Sequence, residues 1–193
     1  EDGIRDHCVT GVQTCALPIY PLVGRLRDLH RPSGRHEQGC VLLEGTHLLQ
    51  EMLRAGLAAE LVLATPDWLE RHGPLVASLP ATTCLQAAAP EVLEAAASTR
   101  SPDGVLAVLP TPAPRPPQGG ARFVLALDRL QDPGNLGTLL RLALASGVEE
   151  VWLGEGADPL QPKALRASSG AALVLPLARC GPGGLAERLE RAR

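Results

Sequence analysis

The chain has 193 residues, 45% of them hydrophobic and only 2% aromatic, so its core has to be built from Leu, Val and Ala. That composition favours helices and parallel strands over an aromatic-rich β-sandwich. A net charge of −3 neither demands nor forbids a polyanionic partner, and no apolar run approaches the roughly 20 residues that span a bilayer.

Residues 9–19, VTGVQTCALPI, resemble the conceptual translation of a sequencing adapter, so residues 1–19 are expected to be a non-native segment that does not pack on the core. Cys8, Cys15, Cys40, Cys84 and Cys180 lack the CxxC spacing of a zinc or redox site, and free thiols in the cytoplasm are the expectation. Arg25, Arg27, Arg31 and Arg35 form a basic cluster before Gly39, suited either to phosphate or to a solvated face. Residues 41–44 read as a short buried strand, and Gly45-Thr46 as the start of an apolar-periodic helix ending near Gly56. A strand at 60–64, a short helix at 67–72, a helix at 90–97 with Pro90 in its first turn, and a strand at 105–109 follow. The alternation predicts a small α/β sandwich over residues 20–109. Residues 110–120, PTPAPRPPQGG, hold five prolines and two glycines and predict a semi-rigid linker.

After it, residues 123–127 are a continuous apolar run of the kind buried on both faces of a parallel sheet. A helix at 135–146 with Gly147 at its end, strands at 151–153 and 173–176, and helices at 162–168 and 185–192 complete an open parallel sheet, with ligands beyond its carboxyl edge. The informative stretch is 127–147, LDRLQDPGNLGTLLRLALASG. Leu136, Leu139, Leu140 and Ala143 mark the sheet-facing side of its helix, and Arg141 projects away from them. Gly134 permits a tight turn, Asn135 can cap the helix or donate from its amide, and the free N–H groups of the first turn favour an anion. The long Arg141 side chain leans back toward Asn135, so the two can converge on one ligand. An ordinary strand–turn–helix with a capping Asn and a solvated Arg fits the same spacing.

The run Asp132-Pro133-Gly134-Asn135-Leu136-Gly137 followed by Arg141 resembles the first motif of the SpoU branch of the SPOUT RNA methyltransferases. Residues 165–177, LRASSGAALVLPL, resemble that family's segment after the second strand of the catalytic domain. Residues 21–45 and 98–109 are similar to the opening and the exit of the substrate-binding domain that precedes many such catalytic domains. The resemblance implies an RNA substrate-binding domain at 20–109, the linker at 110–120, and the first part of a SpoU methyltransferase domain at 121–193. It further implies transfer of a methyl group from S-adenosylmethionine to a ribose 2'-hydroxyl of rRNA or tRNA and, when the protein is complete, a homodimer; the lack of a long apolar run adds the expectation of a soluble protein with no membrane partner. Asn135 and Arg141 are then the catalytic residues, with Arg35, Arg166 and Ser168 on the RNA side.

The family assigns activation of the hydroxyl to its Arg. A guanidinium stays protonated, so fixing a phosphate and stabilising charge that grows on oxygen is the alternative role for Arg141. The family's Gly-x-Glu and Ser-Leu-Asn segments, which form the trefoil knot around the donor, do not occur before Arg193. The resemblance therefore places no donor-binding residue in this chain, and a fragment inactive on its own is the expectation. A non-catalytic RNA-binding module is the competing class. Another kind of nucleotide-binding enzyme is disfavoured, because no GxGxxG or Walker A pattern follows a predicted strand.

Overall fold

Apolar strands alternating with amphipathic helices fold into two sheets in a computed structural model, which describes residues 13–14, 19–113 and 120–192. The first half runs β1 (Gln13–Thr14), α1 (Ile19–Asp28), α2 (Pro32–Gln38), β2 (Cys40–Glu44), α3 (Thr46–Arg54), β3 (Leu61–Ala64), α4 (Pro66–Arg71), α5 (Gly73–Ala77), β4 (Cys84–Ala87), α6 (Pro90–Ala96) and β5 (Val105–Pro110). The second runs β6 (Val124–Leu127), α7 (Pro133–Ala145), β7 (Glu150–Leu153), α8 (Pro162–Ala167), α9 (Ala171–Val174), β8 (Leu177–Arg179) and α10 (Gly184–Arg191).

The first sheet has the order β1-β4-β3-β5-β2, parallel from β1 to β3 and antiparallel across β5, so β2 is an edge strand. Successive side chains of a strand point to opposite faces. Cys40 and Leu42 of β2 accordingly join the buried cluster under α1 and α6, with Leu22, Leu26, Leu29 and Leu93. Val41 and Leu43 join the other cluster, under Leu48, Leu49 and Met52 of α3 and Trp68 of α4. Thr65 caps α4 by accepting the Trp68 N–H, and the Trp68 indole donates to Thr46 Oγ1 at 2.7 Å.

The second sheet is β6-β7-β8, parallel throughout, and its central strand β7 is buried along its whole length. Its core does not stand apart from the first. Leu136, Leu140 and Ala143 of α7, Val151 and Leu153 of β7 and Leu165 of α8 belong to the same buried cluster as Val41 and Leu43. The apolar core thus runs from the face of the first sheet, past the β2 edge where α8 packs, into the second.

The expected strands and helices of the first half, and those at 135–146 and 151–153, fall within a residue or two of those observed. Four expectations are corrected. Residues 173–176 are not a strand: Ser169 (φ 49°) and Gly170 (φ 81°) turn the chain into α9, whose Ala171, Ala172 and Leu173 are buried, and β8 starts only at Leu177. A short buried apolar run has no period that separates a helical turn from a strand. Residues 123–127 are not covered on both faces, because β6 is an edge; Phe123 is 51% exposed and β6 is at best half-buried. Residues 1–19 are not wholly apart from the fold, since Gln13 and Thr14 pair with Cys84 and Leu85 of β4 and Ile19 opens α1; residues 1–12 and 15–18 lie outside the described residues. The basic cluster is divided, with Arg25 bonded to Gln38 and Glu60 at the surface and Arg35 buried. Most of the linker, residues 114–119, lies outside the described residues.

Candidate functional site

The start of α7 is built by its own sequence. Asp132 is the N-cap: its Oδ1 accepts the Asn135 N–H at 2.8 Å, and Pro133 follows where a missing N–H is harmless. Asn135 is therefore the third residue of the helix rather than its cap, which corrects the capping alternative and leaves its side-chain amide to donate. Lys163 of α8 donates to Asp132 Oδ2 at 3.0 Å. The Asn135 amide first, and then Lys163, hold the Asp132 carboxyl below its ordinary pKa. With its backbone committed to the cap, Asn135 turns an exposed amide side chain outward. Arg141 is also exposed, and no hydrogen bond or ion pair engages it among the described residues. Six residues of α-helix separate them by about 9 Å along the axis and about 120° around it. The structure records no contact between them, so they converge only through a ligand large enough to span both, such as a nucleotide.

Behind this surface α7 and α8 approach closely at Gly137. A Cβ there would lie 2.5 Å from Ala164 O, 2.6 Å from Ala167 Cβ and 2.8 Å from Ser168 N. Lys163 and Arg166 are one turn apart on α8, hence on neighbouring positions of one face. Lys163 holds the α7 cap, while Arg166 reaches the first sheet: its Nη1 donates to Glu44 Oε2 at 2.8 Å and to Ser98 Oγ at 2.9 Å. Glu44 is buried, and its other oxygen accepts the Ser98 N–H at 3.0 Å. A continuous polar chain thus leads from Ser98 through Glu44, Arg166 and α8 to Lys163, Asp132 and the Asn135 amide. Arg166 remains 30% exposed along a cleft of about 260 Å³ lined with His47, Thr99, Ser101 and Asp103.

The other two residues expected to face RNA are placed differently. Arg35 is only 5% exposed; it donates to Leu29 O at 2.9 Å and to Asp158 Oδ2 at 2.5 Å, closing the junction between the sheets. Ser168 has no exposed surface, and its hydroxyl bonds Leu165 O and accepts the Ala172 N–H inside the α8–α9 turn. Both assignments to an RNA surface are corrected by burial: each polar group already has its partners inside the protein. Sequence reasoning missed Lys163, Glu44, Ser98 and Asp158. One signal was available for Lys163, which is the only lysine in a chain that otherwise uses arginine.

Residues 122–187 match the model of the SpoU rRNA Methylase family, and residues 21–107 match the MRM3-like substrate binding domain. The chain is 47% identical over 159 residues to an uncharacterized tRNA/rRNA methyltransferase of Synechocystis, covering 81% of this chain and 58% of the relative. It is 31% identical to the 23S rRNA (guanosine(2553)-2'-O)-methyltransferase of Bacillus subtilis, over 79% of this chain and 59% of that one. The chain therefore spans less than two thirds of these relatives. An S-adenosylmethionine-bound rRNA methyltransferase from Sinorhizobium meliloti superposes with a TM-score of 0.74 at 26% identity, over 94% of this chain and 69% of that one.

Proposed function

We propose, from a chain that joins an MRM3-like substrate-binding domain to a domain of the SpoU rRNA methylase family, the RNA-facing part of an S-adenosylmethionine-dependent ribose 2'-O-methyltransferase acting on rRNA or tRNA. The observation that carries this reading is the presence of an exposed Asn135 amide and an exposed Arg141, unpartnered among the described residues, on one helix whose start is held by Asp132 and Lys163. An unpaired guanidinium on a rigid helix suits a phosphodiester, to which it gives two parallel N–H donors. Arg141 then holds the backbone beside the target ribose and stabilises negative charge growing on the 2'-oxygen without losing its proton. Asn135 orients the ribose from the helix start. Holding the reacting atoms in line accounts for much of the rate in such transfers.

The donor belongs to the family rather than to the described residues. At the carboxyl ends of β7 and β8 the Gly154 and Cys180 amides already donate to Leu127 O and Leu153 O. Asp128 Oδ1 lies 2.4 Å from where a Gly154 Cβ would stand, so the space beside Gly154 is taken by the Asp128 carboxylate. These residues do not fit the whole donor, and we assign its pocket, the family's knot and a homodimer interface to sequence that the relatives carry outside the matched stretch. Among the described residues no helix is long and apolar enough to cross a membrane, and a cytoplasmic enzyme is part of this proposal.

Two measurements test it. Isothermal titration of the 193-residue chain with S-adenosylmethionine is expected to show no saturable binding; micromolar binding would place a complete donor site here. In a chimaera that restores the full length of the Synechocystis relative, methyl transfer to ribose is expected, and Arg141→Ala is expected to reduce it by about 100-fold or more. Arg141→Lys should rescue poorly, since a point charge does not reproduce the planar fork. Near-normal turnover in either variant at equal folded fraction would remove Arg141 from the reaction. A chimaera that binds RNA and never methylates it would favour the RNA-binding module instead.

A further inference from the structure

Between β6 and the cap of α7 the chain makes a crossing that is fixed on both sides. Gly154 N donates to Leu127 O at 2.8 Å, and Ala157 N donates to Leu130 O at 2.8 Å, so residues 127 and 130 are both tied to the chain leaving β7. Leu130 and Gly156 form an isolated parallel bridge. The two residues left between these ties, Asp128 and Arg129, have little freedom, and Arg129 takes a left-handed backbone with φ 51°. On the facing segment the positive φ falls on a glycine: Gly156 has φ 136°, and a Cβ there would lie 2.5 Å from Leu130 O.

A left-handed conformation is unfavourable for any L-residue with a Cβ, and glycine or asparagine is the usual occupant. Arg129 gains nothing from packing in return. Its side chain is 78% exposed, and its one partner among the described residues is the carboxylate of its own neighbour, Asp128 Oδ2 at 3.3 Å, itself half exposed. An exposed pair of that kind stabilises a fold very little. Ser169, the other described non-glycine residue with positive φ, differs in this respect. It lies just past the end of α8, where a left-handed residue commonly closes a helix, and its N–H bonds Arg166 O at 3.0 Å. Strain kept at an exposed cation without a structural return points to use of that cation.

We propose that Arg129 is a phosphate contact for the substrate RNA, held at the carboxyl edge of the second sheet three residues before the Asp132 cap. This rests on the reading of the chain as RNA-facing. The fixed crossing holds the backbone of Arg129 and leaves its guanidinium exposed to solvent, six residues before Asn135 in the same connection between β6 and α7. The contact is electrostatic and reads no base.

Fluorescence anisotropy of the 193-residue chain with a fluorescein-labelled RNA hairpin, measured over a series of salt concentrations and beside thermal unfolding, tests the proposal. Arg129→Gly is expected to leave the unfolding midpoint unchanged or raise it, because glycine accepts φ 51°. The same variant should weaken RNA binding several-fold and lower the slope of log affinity against log salt by about 1. Arg129→Lys keeps the charge and should keep the slope. Wild-type affinity in Arg129→Gly would overturn the proposal alone, as would a fall in its midpoint, which would make Arg129 a structural residue, or a lysine variant that behaves like glycine. Absence of RNA binding by the wild-type chain would overturn the proposal together with the reading on which it rests.

Discussion

Asp158→Ala is expected to lower the stability of the chain by about 3 kcal/mol, toward the lower end of the range for removing one partner of a buried ion pair. The reason lies in what remains. Arg35 is 5% exposed and has Leu29 O as its other acceptor, so without Asp158 a full positive charge stays in the junction between the two sheets with one backbone carbonyl for company. Asp158 keeps 24% of its surface, which lets some water into the gap and argues against the upper end of the range. Arg179 also meets Asp158, at 3.0 Å, but it is 56% exposed, and Arg179→Ala should change stability by less than about 1 kcal/mol. The comparison isolates burial from charge. If thermal or urea unfolding gives equal shifts for the two variants, the junction is not held by the Arg35 pair. Asp158→Ala combined with Arg35→Met should recover much of the loss, since two removed charges need no compensation.

The same pair sets a pH dependence. Burial works against ionisation of Asp158, but the Arg35 hydrogen bond, the Leu160 N–H and the charges of Arg35 and Arg179 outweigh it, and the carboxyl lies below its ordinary 3.8. A carboxylate with a depressed folded pKa contributes stability that is fully present above its unfolded value and is lost as pH falls through the folded one. Unfolding midpoints should thus be flat through neutrality and fall below about pH 4, with a smaller fall in Asp158→Asn. An equal acid slope in that variant would assign the loss to other carboxylates.

That junction is the part of the molecule least legible in the sequence. Arg35 and Asp158 are 123 positions apart, and Glu44 and Arg166 122 apart, and no local pattern announces such partners. Helix α7 is the opposite case: Asp132-Pro133 at its start, Gly147 at its end, and apolar residues at helical spacing between them are all local signals that agree. Helix α1 shows how one signal hides another. Leu22, Leu26 and Leu29 stand at i, i+4 and i+7 and are buried, yet Arg25, Arg27 and Arg31 on the outward side read first as a charge cluster. Strand β4 was hidden by Gln86 and Cys84, which a strand next to an edge tolerates. Within the candidate site, the motif located Asn135 and Arg141. It did not reveal that α8 carries the cation that holds the cap of their helix, because Lys163 meets Asp132 only once the helices have packed.

Gly137→Ala is expected to destabilise the chain by about 1–3 kcal/mol, the range for overpacking, although alanine is the better helix former by about 1 kcal/mol. The clash decides the sign. The added methyl group would meet Ala164 O, Ala167 Cβ and Ser168 N, all backbone or backbone-fixed atoms that no rotamer change moves away. Relief requires α7 and α8 to separate, and their separation draws Lys163 from Asp132 and loosens the cap that presents Asn135. Gly134→Ala, one turn earlier on the same helix, serves as the control. Its methyl group would meet Asp132 Oδ1 at 2.9 Å and Lys163 Cε at 3.5 Å, so the capping carboxylate must shift by a few tenths of an ångström, but no backbone has to move and the loss should stay within about 1 kcal/mol. Thermal unfolding of the two variants checks the difference, and RNA affinity at a temperature where both are folded checks its consequence for the site. The expected order is Gly137→Ala well below Gly134→Ala in midpoint, with RNA binding weakened more in the former. A Gly137→Ala protein as stable as the parent would mean that the two helices do not meet at this glycine, and that the path from Glu44 through α8 to the start of α7 is not rigid.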